Sequence, residues 1–171
     1  MKAIINFIIG ITAIAALIVS LYLLLGKKKI AYVDTIYIFE NSKMKADLYK
    51  KLENDQKIRK TILDSLENEI KTIVSHKPFS EIDPVYLKVK TLEETYYQKQ
   101  QKFTQELKSI ADDVNRKIWN HINESIVQYS KDNKYDYLFG ANGQGSIMYA
   151  GEPENISETM IEFINNKYED K

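Results

Sequence analysis

Hydrophobic positions change rhythm four times along the chain. From Ile4 to Leu25 they are almost continuous, broken only by Asn6, Thr12, Ser20 and Tyr22, and Gly26-Lys27-Lys28-Lys29 follows directly. As a helix this run would extend roughly 33 Å, comparable with a bilayer core of about 30 Å. A cleaved secretory signal carries a shorter apolar region and small residues at its cleavage site. Length and flank therefore favour an uncleaved transmembrane anchor over residues 4–25, with a cleaved signal as the alternative. The lysine triplet outweighs Lys2, which by the positive-inside rule leans towards a cytoplasmic body.

The next run, Ile30-Ala31-Tyr32-Val33-Asp34, is short, β-branched and aromatic, and predicts a strand. From Thr35 to Val74 the period becomes helical: Leu52, Leu63 and Val74 recur every eleven residues, flanked by Leu48 and Ile70, Ile62 and Ile73, and Met44 and Leu66. Pro78 and Pro84 mark a loop over 75–84. A second helix, about Val85 to Ser130, keeps the same interval in Val85, Tyr96, Leu107, Ile118 and Tyr129, with Leu92, Phe103, Val114 and Val89, Ala111, Ile122 on adjoining tracks. Eleven residues correspond to about 3.67 per turn, which favours a nearly straight pairing. Joined by a short loop, the two helices predict an antiparallel hairpin arm of about 60–70 Å.

After Asp132-Asn133-Lys134, alternation resumes in Tyr135 to Phe139, followed by the glycine-rich stretch FGANGQGS and by Ser146 to Ala150. A phosphate cradle needs a helix after the glycines. A second strand pattern follows instead, and Asn142-Gly143 suits a hairpin turn. Pro153 closes the strands, and Ser157 is placed to cap a short amphipathic helix with acids in its first turn. Because the arm goes out and returns, strands 30–34 and 135–139 are expected to meet running oppositely. The predicted fold class is therefore α+β: an antiparallel helical hairpin inserted in a small three-stranded antiparallel sheet, with a short C-terminal helix and an N-terminal transmembrane helix. The expected divisions are 1–29 for the anchor and its basic flank, 30–42 with 132–171 for a small β-body, and 43–131 for the arm. A body of that size calls for disulfides, metal or partner subunits; with no cysteine in the chain, oligomerisation remains.

The 24 basic and 24 acidic residues cancel, so no global charge directs the chain to nucleic acid. Charge is nevertheless uneven: residues 43–131 hold 17 basic and 14 acidic side chains, and residues 132–171 hold 3 and 8. Catalytic chemistry finds little to use. His76 falls at the arm tip and His121 roughly 55 Å down the second helix, while Asp112-Asp113 and Glu93-Glu94 point to different sides of a helix. No catalytic, metal or cofactor residues are expected, and no enzyme activity. Phe79, Tyr86 and Tyr97 lie in the tip loop or off the main apolar tracks, and are the candidate contacts for a client chain.

Ala31-Tyr32-Val33-Asp34, Phe39 and Ser42, the long charged helical insertion, Tyr135 to Phe139, Ile147 to Ala150, Asn155-Ile156-Ser157, Ile161 and Ile164-Asn165 together resemble the Skp/OmpH-like periplasmic chaperones. The resemblance covers most of the chain from residue 30 onward, and its specific part lies at the two ends. It implies a homotrimer whose joined strands form a body and whose arms enclose unfolded outer-membrane proteins without using ATP. It also implies a location on the periplasmic side of the bacterial inner membrane, here with the apolar helix as anchor, or a free periplasmic form if that helix is cleaved. The side chains expected in the shared body are Val33, Tyr137, Phe139, Ile147 and Tyr149. A membrane-tethered coiled-coil scaffold without chaperone activity is the competing reading.

Overall fold

The computed structural model describes residues 2–26, 28–75, 84–145 and 147–170. The apolar N-terminal run forms one helix, α1 (Lys2–Leu25). Among the described residues no helix is long and apolar enough to cross a membrane. The expected transmembrane anchor, and with it the anchored location at the inner membrane, is corrected accordingly.

Strand β1 (Ile30–Asp34) alternates as its sequence predicts, with Ala31 and Val33 buried on one side. It ends where the Asp34 carboxylate takes over: Oδ1 accepts the backbone N–H groups of Ile36 at 2.9 Å and Tyr37 at 3.0 Å. That side-chain cap starts a short helix, α2 (Thr35–Glu40), whose Ile38 is fully buried. The chain breaks at Asn41-Ser42 before α3 (Lys43–Ser75). The continuous helix expected from Thr35 is thus two helices with a corner between them.

Helices α3 and α4 (Pro84–Asp132) run antiparallel, as the pairs Tyr49–Asn115, Arg59–Glu106 and Glu69–Lys88 show. Pro84 occupies the first position of α4, where its missing N–H costs nothing. At 1.5 Å per residue the 33 residues of α3 span about 50 Å and the 49 of α4 about 73 Å. The apolar core lies at the root of this arm. Val114, Ile118 and Ile122 of α4 pack with Val33, Ile38 and, from α5 (Ser157–Glu169), Met160, Ile161 and Ile164. Trp119 borders the core and stacks on Phe39, with ring centroids 5.1 Å apart.

The sheet departs from expectation in direction and in strand number. β1 pairs with β2 (Tyr137–Ala141) in parallel, in the register Ile30↔Tyr137 through Asp34↔Ala141. Parallel neighbours require a long crossover, usually helical. Here α2 and the corner at 41–42 turn the chain before it enters the arm, so α2 to α4 together form that crossover. An antiparallel arrangement would need β1 to run straight into α3. Gly140 permits the close approach of β2 to α2, since a Cβ there would lie 2.8 Å from Thr35 Cγ2.

Among the described residues the expected third strand is absent. Gly143 and Gly145 have positive φ, of 70° and 94°, but the turn is closed by Asn142 Oδ1 accepting from Gln144 N at 3.0 Å, and residues 147–150 form no strand. A hairpin of two strands is marginal alone. Residues Glu152–Glu154 instead make a 3-10 turn, and Asn155 adds a single parallel bridge to Tyr32 on the other edge of β1.

Candidate functional site

Two surfaces carry the residues singled out from the sequence. The first is an apolar groove of about 530 Å³ on the body, lined by Ile30, Tyr32, Phe139, Ile147, Met148 and Tyr149 among others. Phe139 and Tyr137 are half exposed and stack at 6.1 Å with ring planes 9° apart. That spacing follows from strand geometry, because residues two apart share one face. Met148 and Tyr149 are 88 % and 90 % exposed. Strand alternation would have sent them to opposite sides, and their joint exposure reflects the missing ladder. Ile147 is half-buried. Val33 does not join this group: it is 2 % exposed and sits in the chain's own core.

The N-terminal flank is bound beside the groove. The backbone N–H of Lys29 donates to Asp136 Oδ2 at 2.7 Å, its carbonyl accepts from Asp136 N at 2.9 Å, and its Nζ donates to the Asn133 carbonyl at 2.8 Å. The same Nζ lies 4.1 Å from the centre of the Tyr135 ring, and Lys28 Nζ lies 4.9 Å from that of Tyr137. Read as a linear flank, these lysines suggest a membrane-side charge; in the fold Lys29 closes the end of α4, where unpaired carbonyls favour a cation, and Lys28 lies against Tyr137 of β2.

The second surface is the arm. Tyr86 and Tyr97 stand eleven residues apart on one track, 36 % and 62 % exposed. Phe79 lies outside the described residues. Polar pairs also bridge the two helices: Arg59 bonds Glu106 and lies 5.0 Å from the Phe103 ring centre. That hydrogen bond, rather than burial, holds the Glu106 carboxyl below its usual range. α3 buries no residue completely.

Sequence reasoning missed the polar joint between β1 and α5. Ser157, expected as an N-cap, is instead the first residue of the helix. Its buried hydroxyl accepts from Asp34 N at 2.8 Å and donates to Asn155 Oδ1 at 2.6 Å. The capping position would have oriented this oxygen towards its own helix; a partner 123 residues earlier claims it. No local signal identifies such a bond. His121 is likewise buried, its Nε2–H donating to the Ile164 carbonyl at 3.2 Å. Among the described residues no three metal-ligating side chains gather into a site.

Comparison with known proteins bears on the fold and the family. No curated protein matches the chain. A crystal structure of a Caulobacter crescentus protein assigned as an outer membrane chaperone (OmpH-like) superposes with a TM-score of 0.58 at 11% identity, covering 83% of this chain and 86% of that one. At that identity the likeness is one of fold. The model of the family described as outer membrane protein (OmpH-like) matches residues 29–164, and the chain, with its arm rising from a small β-body, belongs to that family.

Proposed function

We propose that the protein is an ATP-independent holdase chaperone, in which three copies join through their bodies and hold unfolded outer-membrane proteins between their arms. The observation that carries this reading is the apolar groove beside β2. Among the described residues nothing pairs with the outer edge of that strand, and next to it Met148 and Tyr149 are almost fully exposed. Burying such a side chain contributes about 1.5–3 kcal/mol. An open strand edge is also a template for another chain. Membership of the OmpH-like family and the chaperone assignment of the Caulobacter protein support the same function.

In this reading residues 30–42 and 132–171 form the trimer body and 43–131 the arm. Tyr137, Phe139, Ile147 and Tyr149 meet the neighbouring copies, Val33 supports them from beneath, and Tyr86, Tyr97 and Phe79 face the client. The arm needs no reaction chemistry, only a wall with scattered aromatic contacts and mixed charge.

Diluting a urea-unfolded β-barrel membrane protein into buffer tests the function. Three copies of the full chain per client are expected to keep it in solution. Undiminished aggregation over a range of salt would favour a coiled-coil scaffold instead. Assembly is tested separately: Tyr149→Asp is expected to shift the sedimenting species from trimer to monomer, because a buried unpaired carboxylate is strongly disfavoured. An unchanged mass would remove Tyr149 from the interface.

A further inference from the structure

Methionine sulfur is unevenly exposed in this chain, which has no cysteine to react ahead of it. Met160 is fully buried, and Met44 packs half-buried against the same core. Met148 is almost fully exposed. The cause is local, because residues 147–150 form no strand and Met148 Sδ lies beside the turn at Gly145, where a Cβ would stand 3.8 Å from it. Glycine has no side chain to cover the sulfur. Among the described residues the chain therefore presents one fully open thioether, and oxidation follows exposure.

The open sulfur stands on the face through which copies are proposed to join. In the register Ile30↔Tyr137 and Tyr32↔Phe139, these four side chains share one face of the sheet, opposite the face on which Ala31 and Val33 are buried. Met148 lines the groove there with Ile30, Phe139 and Tyr149. A thioether suits such a wall, being apolar, flexible and favourable beside aromatic rings. Its sulfoxide does not, because the added oxygen is a polar acceptor that needs a donor once water is excluded. On the separate chain water supplies that donor. Beneath a second copy the water is lost and the surroundings are mostly carbon, so the penalty falls on the assembled form alone.

The chemistry needs only a peroxide. The sulfur lone pair attacks one peroxide oxygen, the S–O bond forms and the O–O bond breaks; the proton of the transferred oxygen passes to the departing hydroxide, which leaves as water. Sulfur is oxidised by two electrons and the peroxide is reduced. We propose that Met148 is an oxidation-sensitive control point for self-assembly, its sulfoxide keeping the groove open to water and the copies apart. This rests on the reading that copies join through the groove, and adds the chemistry that regulates it.

Full-length chain is treated with hydrogen peroxide at high dilution, quenched, reconcentrated, and followed by peptide mass mapping and sedimentation. Met148 is expected to gain one oxygen atom before Met44 and Met160 do, and the concentration at half-assembly to rise about tenfold or more. Methionine sulfoxide reductase is expected to restore it. Met148→Leu, a swap of similar apolar volume, is expected to assemble alike before and after peroxide, which separates residue 148 from oxidation elsewhere. Undiminished assembly with Met148 fully oxidised overturns the proposal and leaves the trimer reading standing. So does dispersal of peroxide-treated Met148→Leu, or oxidation of Met44 or Met160 ahead of Met148. An untreated chain that stays monomeric at every concentration removes the trimer reading and this proposal with it.

Discussion

Deleting residues 63–103 and reclosing the arm with a short glycine-rich turn is expected to abolish suppression of aggregation while leaving the sedimenting mass and the body's thermal midpoint close to those of the full chain. The arm pairs residues whose numbers sum to about the same value, as Arg59 with Glu106 and Tyr49 with Asn115, so residues 62 and 104 face each other and can be rejoined. Little packing is lost in the process. α3 has no buried residue, and in the removed part of α4 only Val89 is buried. The Arg59–Glu106 and Tyr49–Asn115 pairs remain, as does the whole cluster at the arm root. What disappears is reach: α3 falls from about 50 Å to about 30 Å, and Tyr86 and Tyr97 go with it. Light scattering during client dilution, paired with sedimentation velocity, checks both halves of the expectation. A shortened protein that still holds a full-length client would move client binding to the body, and one that no longer assembles would move subunit contacts into the arm.

Ile122→Ala is expected to lower stability by about 2–5 kcal/mol, the range for truncating a buried aliphatic side chain. Ile122 is fully buried where α4 meets α2 and α5, among Ile118, Ile38, Met160 and Ile164, so neighbours on three elements would have to collapse to fill the space. For a chain of this size 1 kcal/mol corresponds to about 2–4 °C in the melting midpoint, and total stabilities are about 5–15 kcal/mol. Val127→Ala on the same helix is the comparison. Val127 is 52 % exposed, and its truncation is expected to cost under about 0.5 kcal/mol. Urea unfolding at one fixed protein concentration, needed because association stabilises the folded state by mass action, separates the two. Equal losses at 122 and 127 would mean that the arm root is not the centre of the core.

The arm was legible because its signal is local. The interval carried by Leu92, Phe103 and Val114, or by Val89, Ala111 and Ile122, repeats within a few turns, and the prolines at 78 and 84 bound the connection. Strand β1 was legible for the same reason, as Ala31 and Val33 alternate with polar or half-exposed neighbours. The glycine-rich stretch was read correctly as a turn and wrongly as a hairpin: Gly143 and Gly145 take up positive φ, but strand pairing across them needs support that one copy of the chain does not provide. Of the residues expected in the shared body, Tyr137, Phe139 and Tyr149 are on the surface, whereas Val33 faces inward. Alternation identifies which side chains share a face; which face is covered depends on α4 and α5 packing against one side of the sheet.

By itself the sequence determined two long helices, a strand on each side of them and a short helix at the end, since each of these follows from side chains fewer than a dozen residues apart. Tertiary structure decided the parallel direction of the strands, the location of the core at the foot of α4 and the use of Ser157 and Asn165 as ties to segments more than 120 residues earlier. The physical reason is one of range. Periodicity and capping act along the backbone, whereas strand direction and buried polar partners are chosen by whichever distant groups the turn at Asn41-Ser42 brings within hydrogen-bonding distance.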